Sequence, residues 1–337
     1  MIDVRYKSIG FEKYRKKQNI NSKKVLILIG LSLILSALYL TVNIDLKFLQ
    51  FVMGIRVPKL VVMIISAFCI GAASLVFQTI INNRIVTPCL LGMNAMYLVV
   101  HTGVYFFLGG GSVFVINPYA AYLIDMVFMS ITATLFYGYL FKKTRYNVLY
   151  VLLAGTVMST FFTSLQNAMI RVMDPNDYDA LLSTLVADMG NVQSGLIFIS
   201  VGIIGALVFL LKDELKVLDV ISLGKNQSIN LGVDYDRVVR KLLLGVTVLI
   251  AIATALVGPI SFLGLIIANL SRQLFKTYRH NYLILGTVFI GTGVLIGGQI
   301  LVEHVFSYSI PVSVFITIGG GIYFLYLLLT SKGKGYA

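Results

Sequence analysis

Val257–Phe275 reads VGPISFLGLIIANLSRQLF. Upstream of it, residues 238–257 form one apolar run, broken at its end by Gly258-Pro259. A second run follows and closes on Asn269, Ser271 and Arg272, with Lys276 and Arg279 just beyond. Proline removes a backbone donor, so within a helix it is best tolerated in the first turn. The pair therefore separates two helices, 238–257 and 259–274, and the second ends in cations.

Read outward, the chain repeats this pattern. It has 337 residues, 58% of them hydrophobic and only 12% charged, with a mean hydropathy of +0.90. Soluble domains carry about twice that charge density, so the composition is that of an integral membrane protein. The apolar runs are continuous and do not alternate with period two, which argues against a strand barrel. At about 20 residues per crossing, the expectation is an all-α membrane protein of about ten helices. The expected spans are 25–42, 58–80, 90–108, 117–141, 148–171, 192–211, 238–257, 259–274, 282–301 and 311–330. The six prolines, Pro58, Pro88, Pro118, Pro175, Pro259 and Pro311, fall in loops or at span starts in this scheme.

The net charge of +13 reports orientation. Ten spans put both termini on one side. Of the 27 Lys and Arg residues, all but Lys47, Arg56, Lys59 and Arg171 fall on that side. The positive-inside rule makes it the cytoplasm. The organisation expected is a basic cytoplasmic tail over 1–24, a ten-helix membrane domain over 25–330 that includes the cytoplasmic segment 212–241, and a short cytoplasmic tail over 331–337. The apolar stretch after the basic N-terminal residues has no A-x-A site behind it and reads as a retained helix. Cys69 falls mid-span and Cys89 near an edge, so no disulfide is expected between them.

Two connections stand out. Segment 172–191 carries Asp174, Asp177, Asp179 and Asp188 and reads as a solvated acidic loop. Segment 212–241 is far longer than a helix–helix connector needs. Leu215, Leu218, Leu223 and Leu231 recur there at near-helical spacing, punctuated by Gly224 and Gly232. Two short amphipathic helices with glycine C-caps fit, and a cytoplasmic apolar face points to a soluble docking partner. A plain folded loop is the alternative.

Catalytic signatures are missing. There is no Walker A sequence, no H-E-x-x-H and no G-x-S-x-G. His101, His280 and His304 lack metal-ligand spacing. The chain is expected not to be an enzyme. Asp125 lies inside the fourth span, where an acid is costly: it either bonds neighbouring helices or carries protons. Gln166 and Asn167 lie inside the fifth span and either join helices or line a path. Glu303 and His304, at the outer end of the ninth span, read as solvated. A single buried acid is little for a proton-coupled carrier and argues for an external energy source.

Several stretches carry a family resemblance. Gly258-Pro259-Ile260-x-Phe262-x-Gly264-Leu265 through Arg272 resembles the signature of FecCD-type permeases of ABC importers, which carry ferric siderophores, haem and vitamin B12. Arg56-Val57-Pro58-Lys59 is similar to that family's Arg-x-Pro-Arg. Gln78, Asn83, Ile85, Pro88 and Gly92 match its Q-x4-N-P-L-A-x-P-x3-G, and Leu223-Gly224 with Leu231-Gly232-Val233 matches its L-G-x6-L-G-V. Pro311-Val312 and Gly320 match the last span. The resemblance covers nearly the whole chain.

What the resemblance implies is specific. The chain would be the permease subunit of an ATP-driven importer of a ferric siderophore in a bacterial plasma membrane. Leu223, Gly224, Leu231 and Gly232 would couple to a cytoplasmic ATPase, which alone binds ATP and Mg; this subunit would hold no cofactor and no metal. Arg56 and Lys59 would face an extracytoplasmic binding protein, with snorkelling interface anchors as their alternative reading. Asn83 and Ile85 would sit at the cytoplasmic gate, and Gln166 and Asn167 would line the path. Gly264, Gly291, Gly293, Gly297 and Gly298 would let helices approach closely enough to rock. The chain departs from the family pattern at Ala268-Asn269, Asn83-Arg84, Val302 and Ser309. Ala268-Asn269 resembles the branch associated with catecholate-type siderophores, which implies pairing with a homologous permease in preference to a homodimer. The alternatives are haem or cobalamin as cargo, or a secondary carrier coupled to protons through Asp125. Nothing points to nucleic acid as a partner.

Overall fold

A computed structural model describes residues 2–43, 46–144, 147–185, 187–190, 193–307 and 310–331. Its fifteen α-helices run α1 (Ile2–Thr41), α2 (Leu49–Ile81), α3 (Met93–Leu108), α4 (Val113–Ile116), α5 (Pro118–Lys143), α6 (Val148–Val172), α7 (Pro175–Leu185), α8 (Ser194–Leu210), α9 (Lys212–Lys216), α10 (Leu218–Ile221), α11 (Lys225–Asn230), α12 (Tyr235–Val257), α13 (Leu263–Phe275), α14 (His280–His304) and α15 (Val312–Ser331). No strand forms among the described residues. Among the described residues, six helices are long and apolar enough to cross a membrane: the Asn19–Thr41 part of α1, then α2, α5, α6 (Leu149–Val172), α12 and α14. Four more apolar helices, α3, α8, α13 and α15, are shorter. Ser309 and the tail beyond Ser331 lie outside the described residues.

Helix α2 is the centre of the body. Its second half, from Val62 to Ile81, is almost continuously buried, and it packs chiefly against α12, α14 and α13. Small residues make this possible. A Cβ on Gly264 of α13 would stand 1.9 Å from Ser74 Oγ of α2, so only glycine permits that approach. Outside this core, α12 packs on α5, α3 on α6 and α1 on α14. The outward faces of α1, α5, α6, α8 and α15 expose large apolar side chains such as Leu33, Phe128, Phe161, Phe198 and Ile322. Such faces suit lipid or another hydrophobic chain. Cys69 and Cys89 are both buried free thiols.

The opening stretch is resolved as a junction. α12 stops at Val257, Gly258 takes φ +90°, and the Asp188 N–H donates to the Val257 carbonyl at 2.9 Å. α13 begins only at Leu263, after Phe262 in the left-handed region at φ +61°. The expected helix 259–274 is therefore shorter, about 20 Å long at 1.5 Å per residue.

Other expectations change too. Pro58 does not open a span but lies well inside α2, which starts at Leu49. The preceding turns survive because Arg56 fastens them to α1: its guanidinium donates to the carbonyls of Tyr39, Leu40 and Val42 at the α1 C-terminus. The acidic segment 172–191 is not a plain loop. Residues Pro175–Leu185 form α7, opened by Pro175 and by Asp174, whose Oδ1 accepts from the Asn176 N–H. Asp177 ties α7 to the end of α3 by accepting from the Gly110 N–H at 2.9 Å.

Candidate functional site

One end of the body gathers the C-terminal ends of α2 and α13, the start of α12 and α14, and the connection between α8 and α12. Lys24 of α1 joins them by donating to the Leu274 carbonyl at 2.6 Å. The α8–α12 connection folds as three short helices, α9, α10 and α11, rather than two. Leu218 and Ile221 are fully buried and anchor α10, whereas Leu223, Ile229 and Leu231 stay 50%, 49% and 62% exposed. The sequence thus splits its leucines into anchors and a projecting apolar tip.

Glycine geometry shapes that tip. The Gly224 N–H closes on the Ile221 carbonyl and the Gly232 N–H on the Ile229 carbonyl, each just past a short helix and each at positive φ, +92° and +83°. A Cβ at either would meet open space, so here backbone conformation, not packing, selects glycine. Ser228 stitches the two turns from inside, with Oγ within 2.9 Å of the carbonyls of Val220 and Gly224. Two ion pairs brace the base: Lys241 with Glu214, and Lys225 with Asp236 at 2.9 Å. The bond from Lys241 holds the Glu214 carboxyl below the ordinary range, and Lys216 does the same for Asp213.

Beside the loop lies the turn after α2. Asn82 adopts the left-handed region at φ +54°, and the Asn83 N–H returns to the Gln78 carbonyl. Asn83 Oδ1 accepts from the Ile85 N–H at 2.9 Å. The Arg84 carbonyl between them receives two side-chain amides, Gln78 Nε2 at 2.8 Å and Asn269 Nδ2 at 2.9 Å. Asn269, at the polar end of the second apolar run, therefore holds the turn that carries Asn83 and Ile85. The sequence marked Asn269 as the polar end of an apolar run and as part of a family departure, but not this contact, whose partner is 185 residues away.

At the opposite end, Arg56 and Lys59 are both engaged within the chain. Arg56 caps α1 as described and lies over the Tyr39 ring. Lys59 Nζ stands 3.8 Å from Glu303 Oε1, with both side chains largely buried. Glu303, expected to be solvated, instead accepts from Tyr39 Oη at 3.1 Å and Gln299 Nε2 at 2.8 Å. Burial of a carboxylate needs such partners, and the cluster joins α1, α2 and α14.

Within the apolar layer, Gln166 and Asn167 diverge. Gln166 is buried, while Asn167 is exposed and continues a row of exposed hydroxyls at Thr156, Thr160 and Thr163. Spacings of four, three and four put these on one face of α6. Asp125 is not alone: His101 Nδ1 lies 2.6 Å from its Oδ2, and His101 Nε2 lies 2.8 Å from Thr184 Oγ1. The ring also stacks on Tyr97. This buried pair links α3, α5 and α7, and the sequence offered no spacing that would have revealed it. Among the described residues no group of three or more His, Cys, Asp or Glu side chains is arranged to hold a metal ion.

Comparison with known proteins gives a consistent result. The FecCD transport family model matches residues 20–330. The petrobactin import system permease protein YclO of Bacillus subtilis is 37% identical over 314 residues, covering 92% of this chain and 98% of the relative. The petrobactin import system permease protein FatC of Bacillus anthracis is 32% identical over 277 residues, covering 82% and 78%. Among solved structures, a metal-chelate type ABC transporter in an inward-facing conformation superposes with a TM-score of 0.76 at 21% identity, covering 92% of this chain and 99% of that one.

Proposed function

The chain belongs to the FecCD transport family, and on that premise we propose that it is the membrane permease subunit of an ABC importer for a petrobactin-like ferric siderophore. Petrobactin is a catecholate-type siderophore, in keeping with the branch that Ala268-Asn269 resembles. Vitamin B12 permeases are more distant, at 22% and 25% identity, and neither cobalamin nor haem is favoured as cargo.

The observation that carries the mechanism is the projecting tip of Leu223, Ile229 and Leu231 on a loop anchored by buried Leu218 and Ile221. Leu223, Gly224, Leu231 and Gly232 form the surface that seats a cytoplasmic ATPase, and ATP with Mg is bound and hydrolysed there, not in this subunit. Ten crossings follow if the four shorter apolar helices also span. α13 can do so because the non-helical residues before it are buried at Gly258 and Ile260 and partly buried at Pro259, Ser261 and Phe262. An even count leaves both termini on the cation-rich, cytoplasmic side of a bacterial plasma membrane. The turn at Asn83 and Ile85 acts as the cytoplasmic gate. The α6 row ending at Asn167 lines the path against a second, homologous permease, while buried Gln166 packs between helices. A heterodimer is the preferred arrangement.

An extracytoplasmic binding protein delivers the chelate to the end bearing Arg56 and Lys59. Because both side chains already hold α1, α2 and α14 together, they present that face rather than supplying free charge. Asp125 serves with His101 as a structural tie. The test is uptake of iron as its petrobactin chelate, as haem iron, and of cobalamin, by iron-starved cells with and without the chain. Selective loss of petrobactin-iron uptake is expected; loss of haem or cobalamin uptake instead would refute the cargo.

A further inference from the structure

Asp219, His280 and Thr79 come from three elements far apart in sequence and meet at the loop-bearing end. Asp219 of α10 accepts twice from His280: from the backbone N–H at 2.9 Å and from ring Nδ1 at 2.5 Å. The first contact caps α14 from outside. The residue before His280, Arg279, supplies no side-chain cap, so the Asp219 carboxylate takes that place at the positive end of the helix. The second contact fixes the ring. With Nδ1 committed to Asp219, Nε2 faces Thr79 Oγ1 at 2.9 Å. With the ring's one proton on Nδ1, Nε2 accepts from the Thr79 hydroxyl, and the Leu75 carbonyl inside α2, also 2.9 Å from Oγ1, is the alternative acceptor for that single proton. Arg272 Nη2 of α13 approaches the same hydroxyl at 3.4 Å. His280 and Thr79 are buried, and Asp219 is the half-exposed outer end of the series.

Thr79 stands in the last turn of α2. Its carbonyl accepts from the Asn82 N–H, and its neighbour Gln78 holds the Arg84 carbonyl. Only one helical turn separates the end of the hydrogen-bond series from the turn that carries Asn83 and Ile85.

We propose that Asp219, His280 and Thr79 form a strut that positions the gate in response to the ATPase, with His280 as its central positioning residue. The proposal rests on the transporter reading given above. The physical reason is directional. Leu218 and Ile221 hold α10 by apolar contacts, which have no preferred orientation and tolerate sliding. Hydrogen bonds fix distance and angle, so displacement of α10 is carried to α14 and α2 together. A hydrogen-bonded series between packed helices is a physical route for such coupling.

The test uses the assembled permease–ATPase complex in vesicles, with chelate moved per ATP hydrolysed as the readout. Thr79→Val keeps the side-chain shape and removes the hydroxyl. It is expected to lower the ratio by about tenfold, the worth of one hydrogen bond, with complex assembly and basal ATP hydrolysis unchanged. Thr79→Ser is expected to restore the ratio to within about twofold, and adding Asp219→Ala to Thr79→Val is expected to cost little more, as for members of one series. A wild-type ratio in Thr79→Val would overturn the strut. So would equal defects in the Ser and Val variants, or a loss that merely tracks the amount of complex assembled. Transport by this chain with no ATPase present would instead overturn the transporter reading itself.

Discussion

Truncating Leu223 and Leu231 together to alanine tests the docking surface without touching the core. Their exposures of 50% and 62% leave slightly more than one leucine side chain's worth of area for a partner to cover. Full burial of a leucine is worth about 1.5–3 kcal/mol, so the pair should lose about 2 kcal/mol of ATPase affinity, roughly 30-fold in Kd. Because both side chains project, the folded chain should keep its thermal midpoint. The assay is titration of the purified ATPase onto the permease in nanodiscs, with a melting curve on the same samples. Leu218→Ala is the contrasting control. That side chain is fully buried, and its truncation should destabilise the chain by about 2–5 kcal/mol. Unchanged ATPase affinity in the Leu223/Leu231 variant, with the fold intact, would refute the docking assignment.

Three further outcomes are expected. Gly264→Ala drives a methyl into Ser74 Oγ and should cost about 1–3 kcal/mol, read as a lowered melting temperature; Ser74→Ala in the same chain should recover part of it. Asp125→Asn should leave energised uptake within about twofold of wild type while lowering stability by about 1–3 kcal/mol, the cost of weakening a buried polar contact, as measured by uptake and melting. The Glu214 carboxyl is held below its ordinary value by Lys241, so the support it gives is complete above the unfolded-chain carboxylate range. That support is lost as pH falls through the lowered folded value; proteolysis of segment 212–241 should increase there in wild type, with a smaller pH response in Glu214→Gln.

Much of this architecture was legible because a bilayer imposes long apolar runs. α5, α6 and α14 fall within a few residues of their expected spans, and Pro118 opens α5. Boundaries failed where tertiary contacts overrode the local signal. Pro58 reads as a helix start, yet Arg56 holds an extra stretch of helix ahead of it by bonding to α1 carbonyls. Asp174 and Pro175 are a helix-opening pair that the acidic composition of segment 172–191 masked. The folded connection over 212–241 was legible through its leucine spacing and glycines. Which leucines project was not, since burial of Leu218 depends on neighbours distant in sequence. The side-chain clusters were the least legible. His101 with Asp125, Asp219 with His280, and Asn269 with the Arg84 carbonyl each join different elements, and no spacing along the chain encodes them.

The most direct measurement is uptake of the ferric chelate into vesicles holding this chain and the proposed partner permease, with binding protein outside, and with or without the ATPase and ATP inside. Accumulation only when ATPase and ATP are both present, and undiminished by a protonophore, is the predicted result. Accumulation without the ATPase, or its collapse when the proton gradient is dissipated, would contradict the account.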